Sequence, residues 1–198
     1  MKAYTEKLVA GTSGNVSTFD REQGLMLITP SSLDYLIMRP EDIVVMKLDG
    51  TVVEGSLKPS SEWRLHAELY KGIEQANAVI HTHSPRATSF AVVHEIIPLI
   101  LIEMLYFLGG DVPLAGFGMP GTPEVGINAV KVMQNRNSCL LANHGVVAFG
   151  KDLEEAYIRA VYVEDAATIY HFARQLGTPI PVPAEAAAAL RERYGLKE

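Results

Sequence analysis

The chain has 198 residues, of which 48% are hydrophobic and 20% are charged, and its formal net charge is −6. This composition predicts one folded domain over residues 1–198 rather than a disordered chain. The negative charge argues against partners such as nucleic acid or an anionic membrane, because neither attracts an acidic surface. One cysteine, Cys139, excludes an internal disulfide and is typical of the reducing cytoplasm, where we expect the protein.

The chain shows no segment that predicts a membrane span. Its start lacks the apolar run of a signal peptide. The most apolar window, residues 96–108, is too short for a bilayer and is interrupted by Pro98 and Glu103. We therefore expect a soluble protein.

The first third of the chain predicts antiparallel strands. Four short segments have the composition of strands: residues 16–19, 25–29, 43–48 and 51–53. Gly24 and the pair Asp49-Gly50 lie between them and are typical of hairpin turns. Because these strands are consecutive, they favour antiparallel pairing.

The rest of the chain predicts helices interrupted by short strands. Helices are expected over residues 60–75, 85–93, 101–108, 122–136, 152–176 and 184–193. Strands are expected over residues 78–83, 138–142 and 146–149, and Cys139 in the second of these is interpreted as a core residue. No regular strand–helix–strand rhythm occurs. The predicted fold class is therefore α/β of the α+β type, with a central, largely antiparallel sheet flanked by helices.

Histidines indicate a metal site. His81 and His83 are two residues apart on a predicted strand, so their side chains share one face. His144 lies at a tight turn between two later strands, and three histidines with an open position are typical of catalytic zinc. Glu62 is the candidate acid beside that position. Spacing alone does not select among the six histidines of the chain.

The other three histidines, His66, His94 and His171, lie in predicted helices. We interpret them as partly exposed or hydrogen-bonded helix residues rather than as ligands.

Five motifs in order give the chain a resemblance to a known family. They are Gly-Thr-Ser-Gly-Asn-Val-Ser at residues 11–17, Ile-Thr-Pro at 28–30, Lys-Pro-Ser-Ser-Glu at 58–62, His-Thr-His at 81–83 and Ala-Asn-His-Gly at 142–145. With them the chain resembles the class II aldolase/adducin family, and most of all its L-fuculose-1-phosphate aldolase branch. The resemblance runs from about Gly11 to the carboxyl end.

The resemblance implies a metal-dependent aldolase that forms a homotetramer with sites between subunits. His81, His83 and His144 match the ligands of Zn²⁺, or of another divalent ion such as Mn²⁺ or Co²⁺, and Glu62 matches the catalytic acid/base. The implied reaction is the reversible cleavage of a ketose 1-phosphate, such as L-fuculose 1-phosphate, to dihydroxyacetone phosphate and a small aldehyde.

The same resemblance implies a site for the phosphate of the substrate. The matching residues are Gly14, Asn15, Ser31, Ser32, Ser60 and Ser61. Small and hydroxyl residues let backbone N–H groups form an anion-binding concavity without a strong positive charge.

The family has two functional tyrosines, of which this chain lacks one and matches the other. The proton-donating tyrosine before Gly109-Gly110 is replaced here by Ile102 or Glu103, for which Glu103 or Tyr106 are candidate substitutes. Packing is the simpler interpretation of Tyr106. A second family tyrosine matches Tyr194, which the resemblance places at the site of a neighbouring subunit. The amino-terminal helix is also shorter than is usual in the family.

Three alternatives stay open on the same scaffold. An L-ribulose-5-phosphate 4-epimerase carries aspartate where this chain has Glu62. A methylthioribulose-1-phosphate dehydratase is compatible with the same metal ligands. A non-catalytic, adducin-like interaction module would keep the fold but lose the ligands.

Overall fold

The fold is built on one mixed sheet, which a computed structural model describes within residues 2–196. The strands are β1 (Asn15–Asp20), β2 (Leu25–Ile28), β3 (Val44–Lys47), β4 (Val52–Glu54), β5 (Ala78–Thr82), β6 (Leu114–Ala115), β7 (Ser138–Leu141) and β8 (Gly145–Gly150). Their order across the sheet is β4-β3-β2-β1-β5-β8-β7-β6. Within the described residues each neighbouring pair is antiparallel except β6 with β7, so the predicted fold class is confirmed.

Helices cover both faces of the sheet. They are α1 (Lys2–Thr5), α2 (Trp63–Gly72), α3 (Pro85–Val92), α4 (Glu103–Leu108), α5 (Pro123–Val132), α6 (Leu153–Leu176) and α7 (Ala184–Tyr194). Alternate residues of β5 point to opposite faces: Val79 packs in the core under α2 and α5, whereas Ala78 and Ile80 pack against α6. The central strands are therefore apolar on both faces and sit at the middle of the fold.

The predicted hairpins are confirmed. Gly24 has a φ of +67° and Gly50 a φ of +98°, and the strands that flank each of them are antiparallel neighbours. The left-handed backbone at both turns suits glycine because it carries no Cβ. Cys139 is fully buried in β7, as its core interpretation predicted.

Several predicted boundaries were wrong. Helix α2 begins at Trp63 and not at Ser60, because the hydroxyl of Ser60 accepts the N–H of Glu62 in a turn that precedes the helix. It ends at Gly72 instead of residue 75, α4 begins at residue 103 instead of 101, and α5 ends at residue 132 instead of 136. Strand β6 was missed, since a two-residue strand carries no periodic signal.

The three remaining histidines have different environments. His66 is fully buried within α2 and hydrogen-bonded, and His171 lies in α6 beside Gln175, as their interpretations predicted. His94 is not helical: it follows α3 with a left-handed φ of +57°. None of the helices in residues 2–196 combines the length and the apolar character needed to cross a bilayer.

Candidate active site

Three histidines converge at one end of the central strands. The ring centroids are 4.8 Å apart for His81 and His83, 4.7 Å for His81 and His144, and 5.3 Å for His83 and His144. One ring nitrogen from each of them lies within 4.8 Å of the other two. These are the three histidines that the sequence singled out, and the structure brings them together.

The backbone around each histidine explains this convergence. His81 lies in β5, and His83 follows just beyond the strand. His144 occupies the turn between β7 and β8, where its N–H donates to the carbonyl of Leu141 (3.0 Å). Asn143 before it has a φ of +55°, a left-handed conformation that asparagine tolerates better than most residues. The antiparallel pairing of β5 with β8 then brings the turn beside the histidine strand.

His81 is held in one orientation by its backbone partner. Its Nδ1 lies 2.8 Å from the carbonyl oxygen of Val146, which can only accept, so Nδ1 carries the hydrogen. The other nitrogen, Nε2, then carries the lone pair of the ring and lies 2.9 Å from Nε2 of His83. Burial is the main cause that lowers the pKa of His81, to about 3, and it also lowers the pKa of His83. Both rings are therefore neutral at neutral pH, as metal ligation requires.

Glu62 faces the same point from the start of α2. Its Oε2 lies 3.2 Å from Nε2 of His144 and 3.5 Å from Nε2 of His81, while its Oε1 accepts the N–H of Gly121 (3.1 Å). Burial acts to raise the pKa of Glu62, but the neighbouring imidazoles and the Gly121 N–H together lower it below its usual range. Glu62 is therefore ionised at neutral pH.

The donor set fits a divalent cation. One nitrogen from each of the three imidazoles lies within 4.8 Å of the other two, and Oε2 of Glu62 lies beside two of these rings. Imidazole nitrogens and a carboxylate oxygen are ligands that Zn²⁺ accepts. Within residues 2–196, two buried polar atoms of this cluster, Oε2 of Glu62 and Nδ1 of His144, lack a hydrogen-bond partner. Since buried polar atoms are rarely left unsatisfied, the Oε2 atom in particular indicates a site for a cation.

A cavity of about 230 Å³ lies beside the histidines and Glu62. Besides those four residues, its lining consists mainly of small and hydroxyl-bearing residues: Thr12, Ser13, Gly14, Asn15, Pro30, Ser31, Ser32, Ser60 and Ser61. All six residues that the resemblance assigned to phosphate are present. Thr12, Ser13 and Pro30 were not assigned, although they lie within the same motifs.

The first of the three loops that line the cavity is fixed against the histidine strand. Asn15 pairs with His81 in the β1–β5 register. Gly14 before it has a φ of +75°, and a Cβ there would lie 2.8 Å from the carbonyl oxygen of His81, so only glycine fits. The buried hydroxyl of Tyr35 donates to the carbonyls of Ser13 (3.1 Å) and Gly14 (2.8 Å).

The other two loops are tied to each other. The N–H of Ser31 donates to the carbonyl of Lys58 (2.9 Å), and the N–H of Ser60 donates to the carbonyl of Thr29 (3.0 Å). Ser60 and Ser61 precede Glu62, the N-cap of α2, and all three residues line the cavity, so the positive end of the helix dipole lies next to it. Of the described residues that line the cavity, none is lysine or arginine. An anion there would be bound by N–H groups, hydroxyls and the helix end.

Tyr194 does not line the cavity of its own chain. It ends α7, is 47% exposed, and packs its ring 4.7 Å from that of Tyr106. Tyr106 therefore has a packing contact, as its simpler interpretation predicted. Glu103 begins α4 and also lies outside the cavity lining.

Comparison with known proteins places the chain among aldolases. It is 37% identical to the 5-deoxy-D-ribulose 1-phosphate aldolase of Bacillus thuringiensis serovar kurstaki, over 97% of this chain and 92% of that protein. It is 36% identical to the 5-methylthioribulose-1-phosphate/5-deoxyribulose-1-phosphate aldolase of Rhodospirillum rubrum, over 93% of this chain and 82% of that protein.

A solved structure and a family description agree with these relatives. An L-fuculose 1-phosphate aldolase superposes with a TM-score of 0.92 at 40% identity, covering 98% of this chain and 91% of that one. Residues 1–171 match the family described as Class II Aldolase and Adducin N-terminal domain. The chain therefore belongs to the class II aldolase/adducin family.

Proposed function

We propose that the chain is a zinc-dependent aldolase that reversibly cleaves a ketose 1-phosphate to dihydroxyacetone phosphate and a small aldehyde. The observation that carries this proposal is that His81, His83 and His144 meet beside Glu62 in the wall of a cavity whose other lining residues are mainly small and hydroxyl-bearing. The histidines and Glu62 suit a Lewis-acidic metal ion, and the small and hydroxyl-bearing residues suit a phosphate.

The relatives narrow the substrate class. Their names specify 5-deoxyribulose, 5-methylthioribulose and L-fuculose phosphates. All three sugars lack a hydroxyl on the terminal carbon, so the aldehyde half of each ends in an apolar group. Gly121, which contacts Glu62, lies on a loop with two exposed apolar side chains, Phe117 and Met119. We therefore favour a terminally deoxygenated ketose 1-phosphate, with 5-deoxyribulose 1-phosphate as the first candidate.

The loops, the histidines and Glu62 each have a separate role in this reaction. The three serine- and glycine-rich loops hold the phosphate and orient C2 and C3 of the sugar toward Glu62. A bound Zn²⁺ would be held by the three histidines and would supply Lewis acidity toward the carbonyl and hydroxyl oxygens of the substrate. In the condensation direction the ionised Glu62 takes a proton from C3 of dihydroxyacetone phosphate.

Cleavage is the reverse of that step. The C3–C4 bond breaks, its electron pair remains on the C3 fragment, and Glu62 returns the proton to C3. Glu62, ionised at rest, first takes up from solvent the proton that it gives to C3. The proton of the C4 hydroxyl leaves as C4 becomes the aldehyde. Our candidate for this transfer is the hydroxyl of Tyr194 of the partner subunit in a homotetramer, which passes its own proton to solvent as it takes this one. Its half-exposed position at the end of α7 is compatible with that role.

A substrate panel tests this function. The zinc-loaded protein is incubated with 5-deoxyribulose 1-phosphate, ribulose 1-phosphate and L-fuculose 1-phosphate, and dihydroxyacetone phosphate is measured by coupled oxidation of NADH. We expect turnover, with the deoxygenated sugars preferred. Epimerised or dehydrated product without dihydroxyacetone phosphate would favour the epimerase or the dehydratase instead. A folded protein that binds neither zinc nor substrate would favour the interaction module.

A further inference from the structure

A chain of buried hydrogen bonds runs from the core to the cavity. The hydroxyl of Tyr70 lies 2.6 Å from Oγ of Ser17, which lies 2.6 Å from Nδ1 of His66. On the other side of the ring, Nε2 of His66 is hydrogen-bonded to Oδ1 of Asn15. His66 is fully buried. Of the four residues joined by these hydrogen bonds, only Asn15 lines the cavity.

The chemistry of the four groups fixes the direction of this chain. Oδ1 of Asn15 can only accept, so Nε2 of His66 carries the hydrogen. Burial lowers the pKa of His66 to about 3, so the ring is neutral and its Nδ1 accepts. The hydroxyl of Ser17 must therefore donate to Nδ1, and its oxygen accepts the O–H of Tyr70. Every donor in the chain points toward Asn15.

This direction decides what Asn15 presents to a ligand. With its carbonyl oxygen held inward by His66, the amide of Asn15 leaves its NH₂ group for the cavity. The opposite direction would present the carbonyl oxygen, which would repel a phosphate. We propose that His66 is a positioning residue that orients the Asn15 amide to donate to the phosphate of the substrate; this inference rests on the proposed function. Ser17 and Tyr70 hold His66 in the tautomer that this orientation needs.

Two variants of His66 separate positioning from plain core packing. In His66→Gln the side-chain NH₂ can occupy the place of Nε2 and still donate to Asn15. In His66→Asn the shorter amide can reach Ser17 but not Asn15. We expect His66→Asn to raise the KM for 5-deoxyribulose 1-phosphate and the inhibition constant of inorganic phosphate about tenfold, the order expected for a lost hydrogen bond to a charged group. His66→Gln should stay near the wild type.

A comparison with an unphosphorylated sugar separates the two roles of His66. A defect in packing alone would change the kcat/KM of both sugars, whereas loss of the positioning role would affect only the phosphorylated sugar. For 5-deoxyribulose itself, kcat/KM should be equal in the wild type and in both variants. Leu69→Val is the matched control. It removes a buried methylene from the same helix but changes none of the residues that form the hydrogen bonds from Tyr70 to Asn15. It should lower stability but leave inhibition by phosphate unchanged.

The outcomes distinguish this inference from the proposed function. If the wild type is active and both His66 variants are inhibited by phosphate as the wild type is, the positioning role is wrong while the function stands. Loss of activity toward the phosphorylated and unphosphorylated sugars alike would also contradict it. A wild type without aldolase activity on any ketose 1-phosphate contradicts the function itself. Should His66→Asn not fold, Ser17→Ala releases Nδ1 of His66 and should weaken inhibition by phosphate several-fold; no change would overturn the inference.

Discussion

Gly145 lies so close to Thr82 that a Cβ atom at Gly145 would stand 2.4 Å from the carbonyl oxygen of Thr82. The same atom would lie 3.0 Å from the ring of His83 and 3.2 Å from the ring of His81. The first distance is below any normal contact, and a backbone carbonyl cannot yield as a flexible side chain can. Glycine at the first residue of β8 therefore allows this strand to approach the two histidines.

Replacement of Gly145 by alanine should loosen the metal site. The strand must shift to accept the methyl group, and the shift displaces His81 and His83, so we expect about 10- to 100-fold weaker zinc binding, as for other supporting residues of metal sites. Competition with a chelator measures the affinity. Gly177→Ala is the control, since a Cβ there meets nothing within 4 Å. Wild-type affinity in Gly145→Ala would show that the approach of the strand does not matter.

Removal of one imidazole should abolish metal binding without unfolding the protein. The apolar clusters of the core are built from other residues, so we expect His81→Ala to remain folded while its Tm stops responding to zinc. In the wild type, zinc at about 100 times its Kd should stabilise the fold by about 2.7 kcal/mol, and a chelator should reverse this. His171→Ala, on α6, should respond as the wild type does. Unfolding of His81→Ala would instead indicate a structural ion.

Glu62→Gln should bind zinc and lose turnover. Glutamine keeps the size of the side chain but cannot take a proton from carbon, so kcat should fall by about 10²- to 10⁴-fold. Steady-state kinetics on the zinc-loaded variant measure this, with metal content determined in parallel. Glu68→Gln lies on the same helix and pairs with Lys71, and it should keep full activity. An unchanged kcat in Glu62→Gln would remove this carboxylate from the reaction.

Acid should destabilise the fold through His66. Its folded pKa of about 3 lies below the unfolded value of 6.5, so between these values the unfolded state binds one more proton than the folded state. Stability from this group is present above about pH 6.5 and is lost as the pH falls toward 3. From about pH 7.5 to about pH 5 the loss should be about 2 kcal/mol.

The measurement is urea unfolding at both pH values in the presence of a chelator. His66→Gln lacks the titrating group, so its stability should fall by about 2 kcal/mol less than that of the wild type over this interval. The other histidines contribute equally to both proteins. An identical fall in the two would mean that His66 is not the neutral, buried group that its hydrogen bonds require.

Local signals carried much of the fold prediction. The hairpins at Gly24 and Gly50 follow from the backbone freedom of glycine, and α6 starts where Asp152 caps it by accepting the N–H of Glu155. The sequence did not predict the exact ends of α2, α4 and α5. Apolar periodicity marks the buried face of a helix but not the residue where its hydrogen bonds stop.

The candidate site also combines residues that the sequence predicted with contacts that it did not. Motifs in the sequence singled out His81, His83, His144, Glu62 and the serine- and glycine-rich loops. Spacing alone left six histidines as candidates, and the network of His66 with Asn15 had no local signal at all. Its members come from β1 and α2, which meet only when the chain has folded.

The sequence by itself determined the chemistry available to this protein: imidazoles two apart on a strand, a carboxylate at a helix start, and loops of small residues. These properties belong to short segments and survive without knowledge of distant neighbours. Only the tertiary structure decided which of these segments meet. The adjacency of β1, β5 and β8, which are far apart along the chain, brings Asn15 beside His81 and His144 beside Glu62, and it leaves Tyr194 outside the cavity of its own chain. Such pairings depend on long-range burial and strand register, and no local pattern encodes them.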